Sequence, residues 1–203
     1  MNLSELTRLK RSFYKRDVLT VAQELLGKIL VKSDHKFLLA AKIVEVEAYD
    51  GSVDQAAHTY IGKTKRNEIM FGEGGYLYVY FTYGAHYCCN VVTGQAGQGT
   101  AILIRALEPL AGIEQMYINR YGKFLSDQKS KYNLTSGPGK VCKALEITRV
   151  NYGEDLVSGQ IYLLHQRKLP DDRIIRTKRI GIRKSTELEW RFYIKDNPFV
   201  SKR

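Results

Sequence analysis

The stretch "IVEVEAYDG", residues 43–51, sets Glu45, Glu47 and Tyr49 at alternate positions. On a β-strand these three share one side, and Val44, Val46 and Ala48 share the other. One face then carries two carboxylates and an aromatic ring, with an apolar face behind. Carboxylates on a central strand are costly to bury unless they are paired or put to chemical use. Placed beside a reacting group, a carboxylate can take a proton or steady a developing positive charge. An edge strand with a solvated acidic face would give the same pattern, and the residues alone leave both readings open.

A second unusual stretch is "YVYFTYGAHYCCN", residues 78–90. It is compatible with a tyrosine-rich core, a metal site or a surface for a planar ligand. The metal reading is weak. The histidines His35, His58, His86 and His165 are scattered, no HExxH occurs, and His86 with Cys88 is too small a donor set for zinc. Neither a metal nor another cofactor is expected. "TSGPGK", residues 135–140, could offer backbone N–H groups and Lys140 to a phosphate, or simply form a rigid turn. It lacks the P-loop pattern, which argues against phosphotransfer. "KTKR" (63–66) and "RIIRTKRIGIRK" (173–184) are basic tracts. The second alternates basic and apolar residues, as a strand with a phosphate-facing basic side would; a merely solvated face is the plainer alternative.

Composition sets the frame for these residues. The 203 residues suggest one domain, or one with a small appendage. Lys and Arg number 32 against 21 Asp and Glu, a net charge of +11 that favours polyanionic partners such as nucleic acid or an anionic membrane, with solubility alone as the plainer alternative. Cys88, Cys89 and Cys142 form neither a CxxC pair nor a disulfide framework, which fits a reducing compartment. The charged N-terminus has no apolar core of a signal peptide, and no run of about 18 apolar residues predicts a membrane span.

The elements that must position these residues are mostly strands. "DVLTVAQELL" (17–26) predicts a helix capped by Asp17 and closed by Gly27. "KILVK" and "FLLAAKIVEVEAY" predict strands joined through "SDH". Residues 51–75 read as a long loop with one short helical turn, a length that usually signals either function or disorder. "YLYVYF" and "HYCCNVV" predict a hairpin through "TYGA", followed by a strand at "TAILIRAL". Pro109 is expected to open a helix to about Tyr121. Residues 122–135 read as a polar connection, and "SGPGKVCKALEITR" as a turn feeding a helix. "GQIYLLHQ", "TKRIGI" and "EWRFYI" read as strands. No regular βαβ rhythm appears. On the residues alone, the chain is a basic, mostly β domain, and an RNA-binding module fits as well as an enzyme.

Several longer motifs occur together and in order: "ELLGKILV", "IVEVEAYDG", "DQAAHTY", "RNEIMF", "GYLYVYFTYG", "ILIRALEPLAG", "LTSGPGKVCKAL" and "RFYI". Through them the chain, from about Leu19 to Val200, closely resembles the alkyladenine (3-methyladenine) DNA glycosylases. The resemblance implies a mixed α/β (α+β) fold, one compact domain over 1–203 with a curved, mainly antiparallel sheet and peripheral helices, residues 1–16 being a peripheral segment. It implies a monofunctional hydrolase that flips alkylated or deaminated purines out of duplex DNA and cleaves the N-glycosidic bond with water. No cofactor is implied. The implied partner is double-stranded DNA carrying damaged purines, met by a monomer without membrane contact. The implied location is the cytoplasm and nucleoid of a bacterium or the nucleus of a eukaryote.

The resemblance also assigns roles. Glu47 matches the water-activating glutamate and Arg105 its support. Tyr49 and Tyr80 match the two stacking faces for the flipped base, and His58 the residue whose main chain donates to the purine. Asn90 matches the residue that disfavours the 2-amino group of guanine. Tyr83 matches the side chain that fills the space left in the duplex. Ile180 matches a residue whose carbonyl helps hold the water. Ala85 and His86 stand where relatives often carry a bulky apolar residue and an aromatic; His86 and Lys140 are candidate phosphate contacts. A catalytically silent module recognising distorted DNA or RNA is the main rival.

Overall fold

The computed structural model describes residues 3–34, 36–82 and 84–202. The alternating apolar stretches become eight strands: β1 (Ile29–Ser33), β2 (Leu38–Asp50), β3 (Leu77–Thr82), β4 (His86–Thr93), β5 (Thr100–Ala111), β6 (Ile161–Leu164), β7 (Ile174–Thr177) and β8 (Arg191–Ile194). They form one antiparallel sheet in the order β3-β4-β5-β2-β1-β6, with β8 pairing to β2 and β7 to β8. Among the described residues, five short α-helices lie at its periphery: α1 (Arg11–Tyr14), α2 (Val18–Leu25), α3 (Ile113–Tyr121), α4 (Gln128–Asn133) and α5 (Pro138–Ala144). The fold is thus a single mixed α/β domain with peripheral helices.

Strand β2 explains the burial of its carboxylates. It pairs with β5 along one edge and, along the other, with β1 over Leu38–Lys42 and with β8 over Glu45–Glu47. The strand is paired on both edges and Glu45 and Glu47 are buried, so the reading of "IVEVEAYDG" as an edge strand with a solvated acidic face does not hold. The β2–β5 register shifts on both sides of Glu45. Such irregularities re-aim side chains locally. The acidic positions therefore turn inward under the sheet rather than out to water.

Helix α2 starts where Asp17 accepts the Thr20 N–H at 2.9 Å. Its Val18, Val21, Ala22 and Leu25 are buried against the sheet with Ile43, Val46, Ile104 and Leu107. Leu9 and Tyr14, from the N-terminal segment, also enter this core. Burying apolar surface contributes about 25 cal/mol per Å2, so this layer stabilises the sheet beneath the site.

Three elements differ from the sequence expectations. Pro109 does not open a helix; it lies in β5 opposite Ala41, beside a register shift at Ala40/Ala41. Proline cannot donate to a ladder, and an irregularity is where a strand tolerates one. The helix begins instead at Ile113, after Gly112. Residues 122–135 contain α4, whose polar run has no apolar stripe but whose Asp127 accepts the Ser130 N–H. "TKRIGI" is not a strand. Strand β7 ends at Thr177, and Gly181 then takes the left-handed conformation with φ +77°. The segment after β7 is drawn away from sheet pairing by side chains of the site described next. Among the described residues, no helix is long and apolar enough to cross a membrane.

Candidate active site

A cavity of about 550 Å3 opens beside β2, β3 and β4. Glu47, Tyr49, His58, Tyr80, Asn90, Arg105 and Ile180 all line it. Residues from six separate stretches of the sequence thus meet around one space. His86 and Lys140 are not in this lining: His86 packs on Gly139, and Lys140 Nζ is hydrogen-bonded to Asn133 Oδ1. Tyr83 lies outside the described residues.

At the floor, Glu47 is fully buried. Its Oε1 accepts the Ile180 N–H at 2.7 Å and lies 3.2 Å from Arg105 Nη1. Its Oε2 accepts the Tyr49 hydroxyl at 2.8 Å. Arg105 reaches from β5 and also donates through Nε to Glu45 Oε1 at 3.1 Å. Glu45, equally buried, is closed off from below by Arg191 Nε at 2.7 Å and by the N–H and hydroxyl of Ser201 at 2.7 and 2.9 Å. Two guanidinium groups thus balance two carboxylates. Burial alone would pull Arg105 toward losing its proton; the Glu47 and Glu45 carboxylates outweigh that and raise its pKa.

The walls are aromatic. Tyr78 and Tyr80, two residues apart on β3, stack with centroids 5.5 Å apart, and His58 meets Tyr80 edge-on at 4.6 Å. Burial raises the Tyr80 and Tyr49 hydroxyl pKa values, and the adjacent Glu47 pushes Tyr49 further in the same direction. Burial lifts Tyr78 to about 12 and the Cys88 thiol to about 11. These groups are therefore neutral hydrogen-bonding partners, not anions, and Cys88 is an unreactive thiol. Asn90 donates to the Tyr78 carbonyl at 3.3 Å, which fixes its amide at the cavity edge.

The 51–75 loop carries His58, and its own bonds hold it in place. Gly51 lies so close to Thr59 that a Cβ there would fall 2.3 Å from its Oγ1. Thr59 Oγ1 donates to Gly99 O at 2.6 Å, and Asn67 Nδ2 donates to the His58 carbonyl at 2.8 Å. Around the cavity mouth stand the exposed cations Arg66, Arg183 and Lys184. Arg179, which the sequence presents as part of the same basic tract, is instead buried on Asp54. Composition cannot distinguish a buried arginine from an exposed one, so the Asp54–Arg179 pair, Arg191 and the Ser201 contact were not legible. Among the described residues, no group of three or more His, Cys, Asp or Glu could hold a metal ion.

Taken together, the fold sets a cavity with aromatic walls next to a buried carboxylate. The chain belongs to the methylpurine-DNA glycosylase (MPG) family, whose model matches residues 12–198. Proteins named "Putative 3-methyladenine DNA glycosylase" from Alkaliphilus oremlandii and Carboxydothermus hydrogenoformans are 47% and 49% identical to it. Those matches cover 97% and 96% of this chain and 100% and 99% of the relatives. A protein of the same name from Clostridium novyi is 46% identical over 203 residues, 97% of this chain and 99% of its own.

His58 gives a titration that checks this geometry. The residue as a whole is exposed, while its ring packs edge-on against Tyr78 and Tyr80 and its Nδ1 lies 2.9 Å from the Tyr78 hydroxyl. Loss of water on the packed side, then the Arg66 charge, lowers its pKa from 6.5. The neutral ring's contribution to stability is therefore complete above pH 6.5 and is lost as pH falls through the lower folded value. An NMR titration of the His58 imidazole should give a midpoint below 6.5; a midpoint at or above it would mean that the ring is not packed in this way.

Proposed function

We propose that this chain is a monofunctional DNA glycosylase that takes an alkylated or deaminated purine out of duplex DNA and hydrolyses its N-glycosidic bond with water activated by Glu47. The observation that carries the reading is the Glu47 carboxylate: buried, aimed into an aromatic-walled cavity and incompletely satisfied. Its Oε1 faces two donors, the Ile180 N–H and Arg105, whereas among the described residues Oε2 receives only the Tyr49 hydroxyl. A carboxylate oxygen has two lone pairs, so Oε2 keeps one acceptor position for a water.

In the reaction, that water's oxygen bonds to the C1′ carbon of the sugar and its proton passes to Glu47 Oε2. The C1′–N bond breaks, and its electron pair leaves with the base. The sugar gains oxocarbenium character on the way, which the carboxylate stabilises. A purine alkylated at N3 or N7 is cationic and departs as a neutral molecule. A neutral base such as hypoxanthine needs a proton or hydrogen bonds on its leaving side. Ile180 supports the reading through its N–H on Glu47; the role expected of its carbonyl remains part of the proposal.

Recognition follows from the walls. Tyr49 and Tyr80 offer π-faces to the extruded ring, a contact worth about 1–3 kcal/mol per base in general. An electron-poor alkylated purine gains further from cation–π attraction. The fixed Asn90 amide would crowd the 2-amino group of guanine and accept hypoxanthine, which lacks it. Tyr83, which follows β3 in the sequence, would fill the vacated space, offsetting part of a stacking loss of a few kcal/mol. Arg66, Arg183 and Lys184 at the mouth suit the phosphate backbone. With these duties the protein would work as a monomer on the nucleoid, needing no cofactor.

The deciding experiment is base release from duplexes that each carry one lesion: 3-methyladenine, 7-methylguanine, hypoxanthine or 1,N6-ethenoadenine. Release of at least one as free base is expected, and release of none would leave only a silent DNA-binding module. A separate titration measures duplex affinity against salt. Affinity should fall steeply as ionic strength rises, because binding releases phosphate counterions; a flat response would remove the backbone-contact role of the rim cations.

A further inference from the structure

Arg179 does not line the cavity, yet three features tie it to the carboxylate that does. Its side chain is completely buried against Asp54, which is equally buried. Nη2 donates to Asp54 Oδ1 at 2.8 Å, and Nη1 bonds to Asp54 Oδ2 and to the Ala48 carbonyl, the latter at 3.0 Å. Nη2 also reaches the Ser185 carbonyl at 3.3 Å. One guanidinium therefore ties the 51–75 loop and the 179–185 segment to β2, at the residue between Glu47 and Tyr49.

The consequences converge on Glu47 from both sides. The next residue in the chain, Ile180, donates its N–H to Oε1 at 2.7 Å. The Arg179 guanidinium also lies 4.6 Å from the Tyr49 ring centroid, and that ring carries the hydroxyl that donates to Oε2 at 2.8 Å. Trp190, at 5.5 Å, is a further ring beneath the guanidinium. Stability is a poor reason for this arrangement. Its buried Nε has no hydrogen-bond partner among the described residues, and a buried ion pair can often be replaced by apolar side chains without loss of stability.

We propose that Arg179, oriented by Asp54, is a positioning residue for the reaction: it holds the donors on both oxygens of Glu47, and so aims the remaining Oε2 lone pair at the water. This inference rests on the glycosylase reading above. It concerns the chemical step, because Arg179 does not itself touch the base cavity.

The test is single-turnover excision of hypoxanthine at saturating protein, run beside equilibrium binding of the same duplex, for wild type, Arg179→Lys and Asp54→Asn. Arg179→Lys keeps the charge and loses the fork; Asp54→Asn keeps the volume and covers the case in which the lysine variant does not fold. Each should lower the maximal rate about 10- to 100-fold, the scale of a misplacement near 1 Å, with duplex Kd changed less than about threefold. Combined with Tyr49→Phe, the losses should be less than multiplicative, since both changes act on one carboxylate. A maximal rate within about twofold of wild type, or independent multiplication with Tyr49→Phe, would overturn the inference while leaving the glycosylase reading intact. Rate and affinity falling together with thermal stability would reduce Arg179 to a structural residue. A wild type inactive on every lesion would take down both.

Discussion

The structure depends on how two buried carboxylates are neutralised. Glu45 and Glu47 lie two residues apart on the strand with neighbours along both edges. An isolated buried carboxylate is too costly to persist. Arg105 bridges the two, and Arg191 and Ser201 close Glu45 from the far side. These contacts draw on β2, β5, β8 and the C-terminal segment, so the charge balance and the sheet topology are one constraint. Removing one member of such a set leaves an uncompensated charge, a loss of about 3–5 kcal/mol.

That constraint divides labour between the carboxylates. Glu45, held by Arg105, Arg191 and Ser201, does not line the cavity and serves as the anchor. Glu47 faces the cavity with one oxygen underused. The same division separates the aromatic groups. Tyr78, Tyr80 and His58 pack on one another and form a wall, whereas Tyr49 both faces the cavity and bonds the carboxylate. A ring that stacks on the base would then sense the same group that activates the water. On the proposed function, binding and chemistry would be linked through this one side chain.

How much of this the sequence discloses depends on the range of each interaction. Period-two alternation is local, so Glu45, Glu47 and Tyr49 on one strand and Tyr78 with Tyr80 on another could be read directly. The Asp17 cap, with its partner three residues away, is equally local. Contacts across long separations leave no such trace. Arg179 meets Asp54 across 125 residues, and its burial runs against the basic tract in which it sits. Pro109 misled because its helix-opening preference is local, while the register shift that accommodates it in β5 depends on β2. "TKRIGI" misled because its alternation suits a strand, yet Arg179 and the Ile180 N–H are claimed by groups far away in sequence. The family motifs draw these distant positions together only as a resemblance, and the geometry supplies the physical reason why "DQAAHTY" and the segment after β7 belong to one site.

The central claim is that Glu47 performs the chemistry in a pocket that other residues build. Its most direct test is the single-turnover rate of base release by Glu47→Gln against wild type, with affinity for the same lesion duplex measured in parallel. The amide keeps the shape and cannot accept the water's proton. The account predicts a rate loss of about 10²- to 10⁴-fold, the usual contribution of a general base, with lesion-duplex binding retained. Undiminished release by Glu47→Gln would contradict it.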